Sequence, residues 1–217
     1  MAFGQKPVAG DMSMTLGLSG LSTLNVSTNF GNLSTLMYRY YLTDELAVRV
    51  RANLTLTNFK TDFSDTLGGG EHDVTKGHTF GLNLGIQKNL GISMKRLEPY
   101  VAAELTVGFG KQNITDQLTN FNDTLSHEVL IEPGNSTTFG IIAIGGFNYY
   151  FTEHFAFGAE FGWGLLHIST GEGTTTITDV VNNKATVVTT HTGTSKSFSL
   201  SGTGGEGLIM FTIAFGK

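Results

Sequence analysis

The sequence predicts an all-β protein: an eight-stranded antiparallel up-and-down transmembrane β-barrel with short periplasmic turns and long extracellular loops. Three observations predict it. Apolar residues recur at every second position over about eight runs of some ten residues, the period of a strand with two unlike faces. Very short connections alternate with long polar ones. The two faces also differ in kind. From Leu46 to Thr57, one face reads Leu46, Val48, Val50, Ala52, Leu54, Leu56, and the other Ala47, Arg49, Arg51, Asn53, Thr55, Thr57. The apolar face carries no charge, as lipid contact requires.

The strands follow in order. The first runs about 11–19, with Met12, Met14, Leu16 and Leu18 on one face. The second, about 35–42, sends Leu36, Tyr38, Tyr40 and Leu42 outward and Met37, Arg39 and Tyr41 inward. Thr43-Asp44-Glu45 reverses it into the third, about 46–58. The fourth, about 78–87, shows Phe80, Leu82, Leu84 and Ile86 on its apolar face. A connection over 88–98 reaches the fifth, about 99–110, with Val101, Ala103, Leu105, Val107 and Phe109 outward. The sixth spans about 138–151, and Thr152-Glu153-His154 turns it into the seventh, about 155–166. The eighth closes the chain with Ile209, Phe211, Ile213 and Phe215 on one face.

Composition fits one domain of this kind. Charged residues make up 14% of 217 residues, against roughly 25% in an average soluble domain. There is no Cys, hence no disulfide framework and no thiolate metal site. A net charge of −5 gives no basic footprint for nucleic acid. The longest apolar stretch, Phe139 to Phe151, is interrupted by Gly140, Gly145, Gly146 and Asn148 and is too short for a membrane helix. Spanning therefore demands a closed barrel, because hydrocarbon cannot satisfy an open sheet edge. Residues 1–10 read as a leader remnant or periplasmic tail, and 11–217 as the barrel.

Connections after strands two, four and six are short. Those after one, three, five and seven are long, at about 20–34, 59–77, 111–137 and 167–203. Within the last, Thr174–Val181 and Ala185–Thr192 flank Asn182-Asn183-Lys184 and predict a hairpin beyond the membrane. An even strand count returns both termini to the short-turn, periplasmic side.

Three strand–turn–strand pieces carry a resemblance: Tyr38-Arg39-Tyr40-Tyr41-Leu42-Thr43-Asp44-Glu45-Leu46, Lys95-Arg96-Leu97-Glu98-Pro99-Tyr100-Val101-Ala102-Ala103-Glu104, and Phe147-Asn148-Tyr149-Tyr150-Phe151-Thr152-Glu153. With them the chain from about residue 11 resembles the small OmpA/OmpX-like outer-membrane β-barrel group, also called the porin family. The resemblance implies multi-pass placement in the outer membrane of a Gram-negative-type bacterium, and it names no substrate. The ending departs from that group, since Gly216 and Lys217 follow the terminal aromatic Phe215.

The phase of the apolar faces turns Arg39, Arg49, Arg51, Glu104, Glu160 and Glu206 into the lumen. An eight-stranded barrel is only just wide enough for side chains to fill. These charges are expected to pair as a polar plug with no continuous channel, because an isolated buried charge is heavily penalised. The competing reading is a gated pore opened by rearranged Arg–Glu pairs. Tyr38, Tyr40, Tyr100, Tyr149, Phe151, Phe155 and Phe215 cluster near the periplasmic strand ends, and Phe80, Phe109, Phe139, Phe161 and Trp163 nearer the outer ends. Their outward-facing members are expected to form two headgroup-level girdles.

Other sites are weaker. His167 and Ser169 continue the outward face of strand seven, and lipid A deacylases of similar barrel size use a His-x-Ser pair. The flanks Leu165-Leu166 and Thr170-Gly171 do not match that motif, and no acid shares the face, so a catalytic role is not expected. Asp62, Asp65, Glu71, His72 and Asp73 cluster in the second long loop, where a solvated acidic surface is the simpler reading than a cation site. Gly68-Gly69-Gly70 lacks a following helix and reads as a loop tip. The six His residues lack metal-site spacing, and no cofactor is expected.

The expected function is a non-enzymatic integral outer-membrane protein with a structural, surface-contact or accessory-subunit role. Its partners would be outer-membrane lipid and lipopolysaccharide, and a larger outer-membrane complex, with no nucleic acid. The alternatives are a narrow porin-like channel, a lipid A-modifying barrel enzyme, and a soluble lipocalin-like ligand binder with the apolar face turned inward.

Overall fold

A computed structural model describes residues 6–18, 33–64, 70–91, 96–119, 125–182, 184–202 and 208–216. Its elements are β1 (Met12–Leu18), β2 (Leu33–Tyr41), β3 (Leu46–Ser64), β4 (Gly70–Asn89), β5 (Leu97–Thr119), β6 (Leu125–Glu132), β7 (Ser136–Tyr150), β8 (Phe155–Thr170), β9 (Gly173–Val181), β10 (Lys184–Thr192), β11 (Ser195–Gly202) and β12 (Leu208–Phe215). All pairings are antiparallel. Strands β1, β2, β3, β4, β5, β7, β8 and β12 pair in turn, and β12 pairs back onto β1 from Met12↔Phe215 to Leu18↔Ile209. This closes an eight-membered ring and removes both sheet edges at that level.

Each ring strand alternates sides as its sequence alternates. Along β8, Phe155, Phe157, Phe161, Trp163 and Leu165 face out, while Ala156, Gly158, Glu160, Gly162 and Gly164 are buried. From Phe155 to Leu165 is about 34 Å of strand at ~3.4 Å per residue, or about 26 Å of height at a tilt near 40°. Two turns at one end use the same device. Thr43 Oγ1 accepts from the backbone N–H of Glu45 (3.2 Å) and Leu46 (3.0 Å). Thr152 Oγ1 accepts likewise from His154 (3.3 Å) and Phe155 (3.0 Å). A short hydroxyl at the head of a reversal thus satisfies amides that the ladder cannot. The described chain ends lie at this end too: Gly10 N–H bonds Tyr41 O, and Ala214 N–H bonds His154 O.

At the other end the strands outrun their expected limits. β3 continues to Ser64, β5 to Thr119 and β8 to Thr170, so much of 59–77, 111–137 and 167–203 is paired strand and not open loop. β5 leaves β7 at Gly110↔Ser136 and takes up β6 from Ile114↔Ile131. β6 then pairs with β9, and β9 with β10, forming a sheet that stands beyond the ring. The hairpin expected at 174–192 is there as β9–β10, with Asn182 at φ 49° in its turn. Thr-rich, two-sided polar strands satisfy their backbones by pairing even without an apolar face to bury. β11 lies along the upper half of β8, above β12. Of the triglycine, Gly70 opens β4, and Gly68 and Gly69 lie outside the described residues.

Candidate functional site: the charged interior

The ring buries charge and exposes hydrocarbon. Arg39 and Arg49 are 0% exposed, whereas Leu54 is 53%, Leu84 52% and Leu105 52% exposed. This inverts the pattern of a soluble domain.

Five of the six interior charges expected from the sequence meet in one layer, and Glu206 lies outside the described residues. Glu160 on β8 is its centre. Its Oε1 accepts from Arg49 Nη2 at 2.6 Å and from Tyr100 OH at 2.7 Å, and lies 3.7 Å from Arg39 Nη2. Its Oε2 pairs with Arg51 Nη2. Glu104 on β5 lies 2.5 Å from Arg49 Nε, a charge contact that is not aligned as a hydrogen bond, and 3.3 Å from Arg51 Nη2. Arg39 donates to Thr15 Oγ1 at 3.0 Å, and Thr15 meets Thr212 at 2.7 Å. Both Arg39 and Arg49 also lie against the Tyr100 ring, with guanidinium carbons 5.5 and 5.9 Å from its centroid.

The layer continues toward the turn end through neutral amides. Arg49 donates to Gln87 (3.1 Å), Gln87 to Asn89 (2.8 Å), and Asn89 to Glu98 (2.9 Å). Asn148 and Tyr150 donate to the other oxygen of Glu98 at 3.1 and 3.0 Å. On the far side, Asn83 donates to Glu104 at 3.0 Å and accepts from Thr106 at 2.8 Å. With these bonds every ring strand contributes to one connected network. Among the described residues, three arginines and three glutamates are buried in the ring.

Sequence reading missed part of this. Glu98, which the sequence assigns to the connection over 88–98, is the second residue of β5 and 3% exposed. Tyr100 points inward beneath the arginines, as the outward phase of Val101 requires, and adds a phenol to a network expected from charges alone. The interior is also not uniformly polar, since Ala102, Ile142, Ile144 and Leu166 pack together within it. Glycines make room for the large groups: a Cβ on Gly146 would fall 2.8 Å from Tyr100 OH, and one on Gly85 2.6 Å from Glu104 Cγ. Above the network, where β5 forks, lies a cavity of about 260 Å³ lined in part by Thr79, Gln112 and Ser136.

The girdle residues Tyr38, Tyr40, Tyr149, Phe151, Phe155 and Phe215 are exposed near the turn end. Phe151 stacks on Phe155 and Phe157 with centroids at 6.1 and 5.3 Å. Phe80, Phe109, Phe139, Phe161 and Trp163 are exposed toward the other end, Phe80 directly opposite Phe109. His167 lies beside Phe198, ring to ring at 5.0 Å, and its buried Nδ1 has no hydrogen-bond partner, so this nitrogen does not engage Ser169. In the acidic cluster Asp62 pairs with His72, Asp73 faces Asp116 across the β4–β5 ladder, and Asp65 lies outside the described residues.

No protein-family model matches the chain, and no curated protein matches it. Among solved structures it is similar to the N-terminal β-barrel domain of OprF from Pseudomonas aeruginosa, at 15% identity and TM-score 0.42, over 96% of this chain and 100% of that one. It is similar also to the outer membrane protein OprG from the same organism, at 16% identity and TM-score 0.43, over the full length of both. On its own geometry the chain is an antiparallel β-barrel with an apolar exterior and a charged, filled interior, the architecture of outer-membrane barrels.

Proposed function

We propose that the chain is an integral outer-membrane β-barrel protein without enzymatic activity. Its filled interior would stabilise the wall, and its tall outer sheet would present a surface for contact or for accessory attachment to a larger membrane complex. The observation that carries this reading is the inversion of burial, with leucines outside and arginines inside. A lipocalin-like ligand binder needs the opposite arrangement. The exposed apolar height of about 26 Å along β8 agrees with the ~25 Å apolar band of such barrels. Both described chain ends sit with the short turns, which favours the periplasmic side for that end.

The test is membrane extraction followed by gel migration. The protein should sediment with membranes through a carbonate wash, require detergent for solubility, and migrate differently when boiled. A monomer that stays soluble in buffer alone would sink the reading. Mild-detergent co-purification then separates a solitary barrel from an accessory subunit by whether one large partner returns reproducibly.

A further inference from the structure

The outward apolar columns end abruptly at the tall side of the barrel, and on two adjacent strands they end in basic residues. On β4, Phe80 is followed along the same face by His78 and then Lys76. On β5, Phe109 is followed by Lys111. The register sets Phe80 opposite Phe109, His78 opposite Lys111, and Lys76 opposite Asn113 and Asn58. Directly opposed residues lie within about 5.5 Å at Cα, so the three basic groups form one patch immediately above the aromatic pair.

All three are exposed, and none carries an ion pair among the described residues. Lys60, the nearest further cation, is already held by Asp62 at 3.4 Å. Lys76 faces Asn58 and Asn113, and Lys111 faces His78, so no carboxylate across the ladder accounts for the two lysines. The chain as a whole carries −5, which makes an unneutralised basic cluster a local exception.

We infer that Lys76, His78 and Lys111 form a binding site for the phosphate of an anionic lipid headgroup whose acyl chains lie on Phe80, Phe109 and the leucines below. The inference rests on the membrane reading above and adds the chemistry of one contact. Position selects a lipid over a free anion: the cations stand where the apolar band stops, so one molecule can satisfy both surfaces at once. A Lys beside a membrane surface contributes roughly fivefold in affinity for anionic lipid, and salt screens it over about 10 Å.

The test uses the full chain in phosphatidylcholine nanodiscs, with lipid A as the phosphorylated probe. Wild-type protein should bind lipid A, and the double variant Lys76→Gln/Lys111→Gln should bind it about 25-fold more weakly, two fivefold losses multiplied. Lys184→Gln, on the exposed strand β10 away from the band, should change nothing. Inorganic phosphate should not displace the lipid at matched concentration. Equal binding by wild type and double variant would overturn the inference, as would full displacement by inorganic phosphate. Wild-type protein that enters nanodiscs but ignores lipid A removes this contact alone. Failure to enter any bilayer removes the membrane reading with it.

Discussion

Glu160 touches three guanidinium groups with two oxygens, and its value to the fold follows from that ratio. A buried ion pair contributes little over apolar packing, yet removing one partner leaves charge with nowhere to go. Glu160→Gln keeps the shape and can still accept from Tyr100, but it leaves Arg39, Arg49 and Arg51 with Glu104 as their remaining carboxylate in that layer. We expect a loss of about 3–5 kcal/mol, read as a fall in the urea midpoint in a fixed detergent or bilayer. Adding Arg51→Met should recover much of that loss, since it removes one of the cations in excess and leaves Glu104 to Arg49. A single variant costing under about 1 kcal/mol would mean that water screens the layer.

Along the elements, what the sequence makes legible is what each strand repeats. Alternation in 46–57 sorts Val50 from Arg51 without any knowledge of neighbours, so wall and interior could be assigned residue by residue. Glu98 escaped because it stands between Leu97 and Pro99, where proline reads as a connection, and only the pairing of β5 with β7 reveals a strand. Tyr100 follows from the strand phase that turns Val101 outward, but its part in the network does not, because a lumen set drawn from charge alone leaves out a neutral phenol. The β6–β9 pairing joins segments some fifty residues apart, and Thr-rich strands carry no local mark of their partner.

The same strand logic predicts depth dependence on the outer face. Leu105 is central in the outward column from Val101 to Phe109, so Leu105→Arg should cost roughly 2–4 kcal/mol of stability in a bilayer. Phe109→Arg, at the upper limit of that column, should cost roughly 0–1 kcal/mol beyond its lost packing. Equal costs at both depths would argue against a lipid-facing column.

Strand β4 also predicts a split response to acid on its two sides. Its Asp73 carboxyl is pushed above the ordinary range by partial burial and the facing Asp116, so its contribution is present at low pH and fades as the pH rises through its raised pKa. Asp62 on β3 is held below the ordinary range by its hydrogen bond with His72 and by Lys60. Its contribution is present above the ordinary Asp range and is lost as the pH falls through its lowered pKa. Acidification should therefore slow amide exchange, corrected for intrinsic rate, across β4–β5 near Asp73 and speed it across β3–β4 near Asp62. At neutral pH Asp116→Asn should reproduce the first effect alone. A parallel change on both sides would mean that the two carboxyls titrate alike.

At the scale of the whole molecule, the ring and its contents constrain each other. Eight strands enclose space only for side chains, and the network fills it from Thr106 down to Tyr150 with hydrogen bonds that reach every strand. An ion crossing this barrel must displace Tyr100 and separate Glu160 from its arginines together, because those groups share the same cross-section. Wild-type protein in a planar bilayer should therefore show no steady openings. Replacing Tyr100 and Glu160 with Ala, together with Arg49→Ala, opens that cross-section while leaving Arg39 on the wall and Arg51 paired with Glu104 at 3.3 Å. This triple variant should conduct, with a cation-to-anion preference that shifts when the remaining Arg51 is changed to Gln. Steady wild-type conductance would instead support the channel reading, and it would require the Arg–Glu layer to be a gate that opens without loss of the barrel.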